Sequence, residues 1–181
     1  MHRLFLLGAL TGLCFAQDTP PQTAGGEKLA PYFPTPPLIV EKMLRLASVR
    51  PGDKVFDLGS GDGRIVIAAA KQFKAEATGV EFDKALYEQS SETIRKLRLQ
   101  KKARIIYGDL FQQDYSSADV ITVYLLPASN RKILPMLESQ LKKGTRIVAH
   151  DFDFAGWEPV KTEVVDNDGE GRSHTLFLYV R

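Results

Sequence analysis

The chain has 181 residues, 44% hydrophobic and 25% charged, the size and make-up of one ordinary globular domain. Its formal charge of +2 is too balanced to argue for a nucleic-acid or membrane-binding surface. Cys14 is the single cysteine, which excludes an internal disulfide framework. At the start, Arg3 supplies a short positive region, residues 4–13 an apolar core and Cys14-Phe15-Ala16 a small-x-small ending. That pattern predicts a secretory signal peptide over residues 1–16, cleaved before Gln17, and hence an exported or periplasmic protein; without cleavage it would be cytoplasmic. The apolar run is too short to cross a bilayer as an ordinary helix, so no stable membrane span is expected after cleavage. A lipoprotein at Cys14 fits poorly with the bulky Leu13 before it.

Residues 17–30, rich in Pro, Thr, Gly and Gln, read as a flexible linker, and residues 31–181 as the domain. In Pro31-Tyr32-Phe33-Pro34-Thr35-Pro36-Pro37, Thr35 is placed to cap a helix with Pro36 at its first position. Ile39, Val40, Met43, Leu44 and Ala47 line one face of that helix, which should pack on a sheet. The Tyr-Phe-Pro-Thr segment is either the helix entrance alone or a cover over a ligand site, and its residues leave both readings open. Pro51-Gly52-Asp53 turns the chain into a short buried strand, Val55-Phe56-Asp57-Leu58, carrying one acid near its end. Gly59, Gly61 and Gly63 then alternate before the apolar helix that begins at Ile65, the first half of a βαβ unit. Such a turn lets a ligand approach the backbone, and the helix start behind it offers unpaired N–H groups.

A dinucleotide fingerprint, G-x-G-x-x-G, needs a glycine where Arg64 stands, which argues against a dehydrogenase. Asp57-Leu58-Gly59-Ser60-Gly61-Asp62-Gly63 instead resembles motif I of the class I methyltransferases that use S-adenosylmethionine (SAM). The resemblance implies that Gly59, Ser60 and Gly61 form the cofactor turn and that Asp57 receives the SAM ammonium, directly or through water. The plainer role for Asp57 is to satisfy nearby turn amides. A second strand, residues 77–81, ends in Glu81, placed beyond a strand's carboxyl end to accept from both ribose hydroxyls. Asp83 should cap the next helix, residues 84–99, with Leu86, Ile94 and Leu97 inward and Glu92 paired with Lys96. The basic run over residues 95–104 reads as a solvated face.

After a third strand, residues 104–107, Asp109 stands where an acid can accept from an adenine amino group, with Leu110 and Phe111 able to cover the ring. A Gly-Asp pair there also suits a simple turn. Residues 118–127 form a fourth strand and its exit, where Tyr124 either lines an acceptor site or sits in the core with its hydroxyl satisfied. Residues 130–141 read as helical, with Pro135 breaking the helix or starting a second segment. A fifth strand, residues 145–150, ends in His150-Asp151-Phe152-Asp153, a concentration of polar groups that points to an active-site lining, with Trp157 as a packing anchor. Residues 161–165 and 175–180 form a closing hairpin whose turn acids, residues 166–171, should be solvated.

From Pro31 to Trp157 the chain resembles bacterial SAM-dependent methyltransferases carrying Tyr-x-Pro-Thr-Pro, Tyr-Leu-Leu-Pro and His-Asp-Phe-Asp segments. It is more distantly similar to the mitochondrial lysine methyltransferases of the adenine nucleotide translocase and of the proteolipid ring of ATP synthase. The resemblance implies an α/β, Rossmann-like seven-stranded sheet with helices on both faces and a C-terminal antiparallel hairpin. It implies SAM as cofactor, no metal, and Tyr32 and Thr35 closing the cofactor site. For the acceptor it leaves a protein lysine, with Tyr124, Asp151 or Asp153 orienting the amine, beside a small molecule; a non-catalytic SAM-binding module is the alternative of another class. With no Asn-Pro-Pro-Tyr segment and no basic stripe, a nucleic-acid acceptor is not expected. Export sits awkwardly with a cofactor made in the cytosol.

Overall fold

The computed structural model describes residues 29–181, so the proposed leader and residues 17–28 of the proposed linker lie outside the described residues. Its elements run α1 (Pro37–Leu46), β1 (Lys54–Leu58), α2 (Arg64–Gln72), β2 (Glu76–Glu81), α3 (Lys84–Lys96), β3 (Ala103–Tyr107), β4 (Val120–Val123), α4 (Pro127–Gln140), β5 (Arg146–His150), β6 (Lys161–Val165) and β7 (His174–Val180). Seven strands make one sheet in the order β3-β2-β1-β4-β5-β7-β6, with β1 to β5 parallel and β7 antiparallel to both β5 and β6. The chain therefore reverses direction across the sheet between β1 and β4. That is where an open α/β sheet leaves a crevice beyond its strands' carboxyl ends.

Both faces of the sheet are covered, which is why β1 and β4 read as nearly unbroken apolar runs rather than alternating ones. On one face Ile39, Met43 and Leu44 of α1, Val66 and Ala69 of α2 and Ile94 of α3 pack with Val55, Val120 and Val148. On the other, Ile133 and Leu137 of α4 pack with Leu58, Ile121, Ile147, Tyr115 and Phe154. Leu29 and Ala30, the last residues of the expected linker, pack against this second cluster.

Local details differ from expectation, each for a physical reason. Pro36 itself occupies the cap position of α1 with Pro37 first in the helix, so the Thr35 hydroxyl makes no capping bond. Leu97 is 42% exposed because α3 ends at Lys96 and Arg98 turns with φ 57°. That turn lets the Leu99 amide reach the Ile94 carbonyl and brings Leu99, not Leu97, onto the core. Helix α4 starts at Pro127 and runs through Pro135 unbroken. Proline removes one donor, yet fully buried Ile133 and Leu137 on either side hold the segment to the sheet. Asp83 caps α3 as expected, accepting from the Ala85 and Leu86 amides. Among the described residues no helix is long and apolar enough to cross a membrane.

Candidate active site

A cleft open to solvent, about 870 Å³ with the solvent space at its mouth included, lies over the carboxyl ends of β1, β2 and β4. Its floor is the turn after β1. The Gly59 and Ser60 amides both donate to the Val80 carbonyl, and Gly63 donates to the Ser60 carbonyl at 2.9 Å, which locks the turn against β2. Gly61 has φ 55°, and a Cβ there would lie 2.8 Å from the Tyr32 ring, so the turn needs glycine twice over. Gly79 is a second close approach: a Cβ on β2 would fall 2.5 Å from the Ser60 side chain. The Ser60 hydroxyl is buried and has no hydrogen-bond partner.

Three acids border this floor. Asp57 is buried and accepts from the Thr122 hydroxyl at 2.7 Å. Burial pushes its carboxyl up to about 7; the Thr122 bond works against that rise, while the charges of Glu81 and Asp62 add to it. Glu81, also buried, accepts from the Gly61 amide at 2.6 Å through Oε2 and from the Asp83 amide at 2.8 Å through Oε1. Each of those oxygens retains a second lone pair. Asp109 caps a single 3₁₀ turn, Leu110–Gln112, through the Phe111 amide at 2.9 Å. Leu110 lines the cleft whereas the Phe111 ring is 40% exposed and is not part of the lining.

The segment before α1 forms the roof. Arg64 grips Asp62 through Nε and Nη2 at 2.7–3.1 Å and donates from Nη1 to the Thr35 carbonyl at 2.8 Å. Burial works to raise the Asp62 carboxyl, but the Arg64 guanidinium and the Tyr32 hydroxyl hold it below its ordinary value. Tyr32 and Thr35 both line the cleft. Arg64, noticed in the sequence only as a missing glycine, thus ties roof to floor.

At the far end Tyr124 lines the same cleft, and its hydroxyl donates to Asp151 Oδ2 at 3.2 Å. Burial and then the Asp151 charge push the phenol up to about 12. Burial works to raise Asp151, yet the Thr175 amide and the His174 and His150 rings hold it below the usual carboxylate range. Asp151 adopts φ 59°, a left-handed conformation unusual for a residue with a side chain. The Thr35 hydroxyl lies 3.2 Å from His150 Nδ1, so roof and far end are joined. Buried His150 is depressed chiefly by desolvation, and by neighbouring His174. Asp153 is not brought into this group: it is exposed, outside the lining, with its carbonyl taken by Asn130.

His174 and Asp168 also belong to the far end, although neither is assigned a role there from the sequence alone. Asp168 is buried rather than solvated and accepts from the Glu170 and Arg172 amides, the Arg172 side chain and His174 Nε2. Burial works to raise its carboxyl, and these bonds hold it well below the carboxylate range. The one signal for this pair in the sequence is the single histidine at the start of the last strand.

Three carboxylates at successive strand ends, an unpartnered hydroxyl and a side-chain-free turn can hold a ligand that presents an ammonium, a diol and an amino group. The sheet order and this cleft define a class I SAM-dependent methyltransferase. More narrowly, the chain belongs to the ANTKMT methyltransferase family, whose domain matches residues 57–161. It is 42% identical over 151 residues to a protein-lysine N-methyltransferase of Saccharolobus islandicus, covering 83% of this chain and 92% of that one. It is 33% identical to the mouse adenine nucleotide translocase lysine N-methyltransferase over 72% of this chain, and spans 56% of that enzyme's length. Among solved structures, it superposes with a TM-score of 0.75 and 40% identity on an RNA methyltransferase from Salinibacter ruber in complex with S-adenosyl-L-homocysteine. That match covers 82% of this chain and 93% of the other.

Proposed function

We propose that this methyltransferase modifies the ε-amine of protein lysines, and that one cleft holds cofactor and acceptor end to end. Bound SAM supplies a methyl group on a cationic sulfur, open to in-line attack by a nucleophile held close to it. In this reading Asp57 receives the cofactor ammonium, Glu81 the ribose hydroxyls and Asp109 the adenine amino group. Gly59, Ser60 and Gly61 form the floor, Leu110 covers the ring, and Tyr32 and Thr35 close the roof and exclude water. Tyr124 meets the acceptor, with Asp151 behind its hydroxyl and outside the lining. The observation that carries the lysine reading is Tyr124 on the cleft lining, its hydroxyl 3.2 Å from Asp151 Oδ2 just behind it. A carboxylate held ionised there attracts a cationic side chain, and the phenol, kept protonated, offers its oxygen to an amine N–H. Asp151 is too acidic to keep the proton that the lysine must lose, so its part is to orient the amine, with water taking the proton. The Saccharolobus relative is named for the same acceptor class.

An RNA acceptor is the second reading, favoured by the description of the Salinibacter protein as an RNA methyltransferase. Charge distribution speaks against it. Lys101, Lys102 and Arg104, the core of the basic run, flank the start of β3, at the opposite end of the sheet from the cleft. The test uses purified protein, SAM with a radiolabelled methyl group and cell extract, with the products divided between protease and ribonuclease. Label released by protease and resistant to ribonuclease is expected; the opposite pattern replaces lysine with RNA.

A further inference from the structure

Behind Tyr124, at the junction of β5 and β7, three ligand atoms converge, of which the proposed methyl transfer uses only Asp151 Oδ2. His150 Nε2 lies 2.9 Å from His174 Nδ1, His174 Nδ1 lies 3.0 Å from Asp151 Oδ2, and His150 Nε2 lies 3.3 Å from the same Oδ2. His150 is 0% and His174 5% exposed. Every one of the three is also held from behind. Thr35 Oγ1 meets His150 Nδ1 at 3.2 Å, Asp168 Oδ2 meets His174 Nε2 at 3.2 Å, and the Thr175 amide donates to Asp151 Oδ1 at 2.9 Å.

Asp168 Oδ2 faces His174 Nε2 and can only accept from it, which leaves Nδ1 as the ring atom turned toward His150 Nε2 and Asp151 Oδ2. A single proton on His150 Nε2 would have to serve both acceptors, at 2.9 and 3.3 Å, whereas an ion between the three atoms engages all of them. With neutral rings, the charges of Asp151, Asp168 and Arg172 leave the cluster negative, which also favours a cation.

We propose that His150, His174 and Asp151 form a binding site for a divalent first-row transition ion of the zinc(II) class. Metal–ligand lengths of about 2.1 Å place neighbouring donors about 3.0 Å apart at right angles and about 3.4 Å apart in a tetrahedron. The observed 2.9–3.3 Å separations match that interval closely enough that small side-chain shifts complete either geometry. Two imidazoles and a carboxylate form a donor set that such ions prefer. A carboxylate behind one imidazole and a hydroxyl behind the other are the outer-shell partners that fix ring orientation at metal sites. The ion joins β5 to β7 and, through His150 and Thr35, fixes the roof of the cleft. An ion here would share Asp151 Oδ2 with the lysine reading and offset the charge used there, so the two compete for that atom; the cobalt titration needs no acceptor and tests the ion by itself.

The test uses the full chain without a polyhistidine tag, stripped with EDTA, dialysed and titrated with cobalt(II). Visible d–d absorption that saturates at one ion per chain and is bleached by zinc(II) is expected. His174→Asn should abolish it, and Asp168→Asn should weaken it about 10–100-fold. Zinc(II) should also raise the melting temperature of the wild type, and that shift should vanish in His174→Asn; circular dichroism confirms that each variant folds. If His174→Asn fails to fold, the full chain carrying His2→Ala and Cys14→Ala decides in its place, since His150 and His174 are then its only histidines and it has no cysteine. No absorption at large cobalt excess overturns the proposal and leaves the three side chains as a hydrogen-bonded cluster. Absorption that survives in folded His174→Asn places the ion elsewhere, at Cys14 or the remaining histidine His2, and overturns it equally.

Discussion

Replacing Thr122 by valine keeps the shape of β4 and removes the one hydroxyl that donates to Asp57 at 2.7 Å. A hydrogen bond to a charged group is worth about 1.5–3 kcal/mol. At about 1.4 kcal/mol per unit, its loss lifts the Asp57 pKa by about 1–2 units, from about 7 to about 8–9. The folded pKa lies above the ordinary carboxylate value, so the native protein holds a proton here that the unfolded chain has released between about pH 4 and 7. Asp57 accordingly costs stability as pH rises through that window, and a ligand ammonium recovers part of the cost only where Asp57 is ionised. Affinity for S-adenosylhomocysteine, which carries the same ammonium, should therefore rise with pH through about 7 in the wild type and through about 8–9 in Thr122→Val. At about pH 7.5 the ionised fraction falls from about three quarters to between about a quarter and a thirtieth, which is about 3- to 25-fold weaker binding. Calorimetry from about pH 6.5 to 9 reads this directly. Affinity that is flat with pH in both proteins, or a loss that is equal at every pH, would refute the placing of the ammonium at Asp57.

Glu81→Ala should cost about 2–4 kcal/mol in S-adenosylhomocysteine affinity by calorimetry. It should also lower the melting temperature, since the Gly61 and Asp83 amides lose their acceptor; unchanged affinity in folded protein would remove Glu81 from the site. Gly61→Val should keep its circular dichroism and lose binding, because the new side chain meets the Tyr32 ring at a backbone with φ 55°. Tyr124→Phe and Asp151→Asn should lower turnover of an amine acceptor at nearly unchanged cofactor affinity, whereas Asp153→Asn, exposed and outside the cleft, should behave as wild type. If Asp151→Asn turns over normally, the acceptor is oriented by other groups. N-terminal sequencing of a C-terminally tagged chain should begin at Gln17 in the exported fraction, and an intact Met1 in the cytosol would discard the leader.

The cleft floor is readable in the sequence because its chemistry is local. Asp57, Glu81 and Asp109 each sit at or just past the end of a strand, and strand ends are marked by the switch from apolar residues to glycine and acids. The far end is readable only in part: Tyr124, His150 and Asp151 stand out at strand exits, but their partners are assembled across long separations. Thr35 and His150 meet over 115 positions, and His150 and His174 over 24, with nothing in either neighbourhood to announce the other. Asp168 reads as a solvated turn acid because its sequence is that of any polar loop; only the fold of residues 168–174 buries it under Arg172 and His174. Thr35 followed by proline carries the signature of a helix cap, but a second proline moves the helix start one place on and frees the hydroxyl for His150. Pro135 misleads in the opposite sense, since the burial of Ile133 and Leu137 outweighs the bond it removes.

The most direct test of the account is the identity of the methylated atom. Protein recovered from a reaction with wild-type enzyme and SAM, digested and sequenced by tandem mass spectrometry, should carry its new methyl group on a lysine side-chain nitrogen. The parallel reaction with Asp151→Asn should show that modification sharply reduced while S-adenosylhomocysteine still binds. Methylation found on a carboxylate, on a backbone amine or on RNA, or lysine methylation undiminished in Asp151→Asn, would contradict the assignment of the Tyr124–Asp151 end of the cleft to a lysine acceptor.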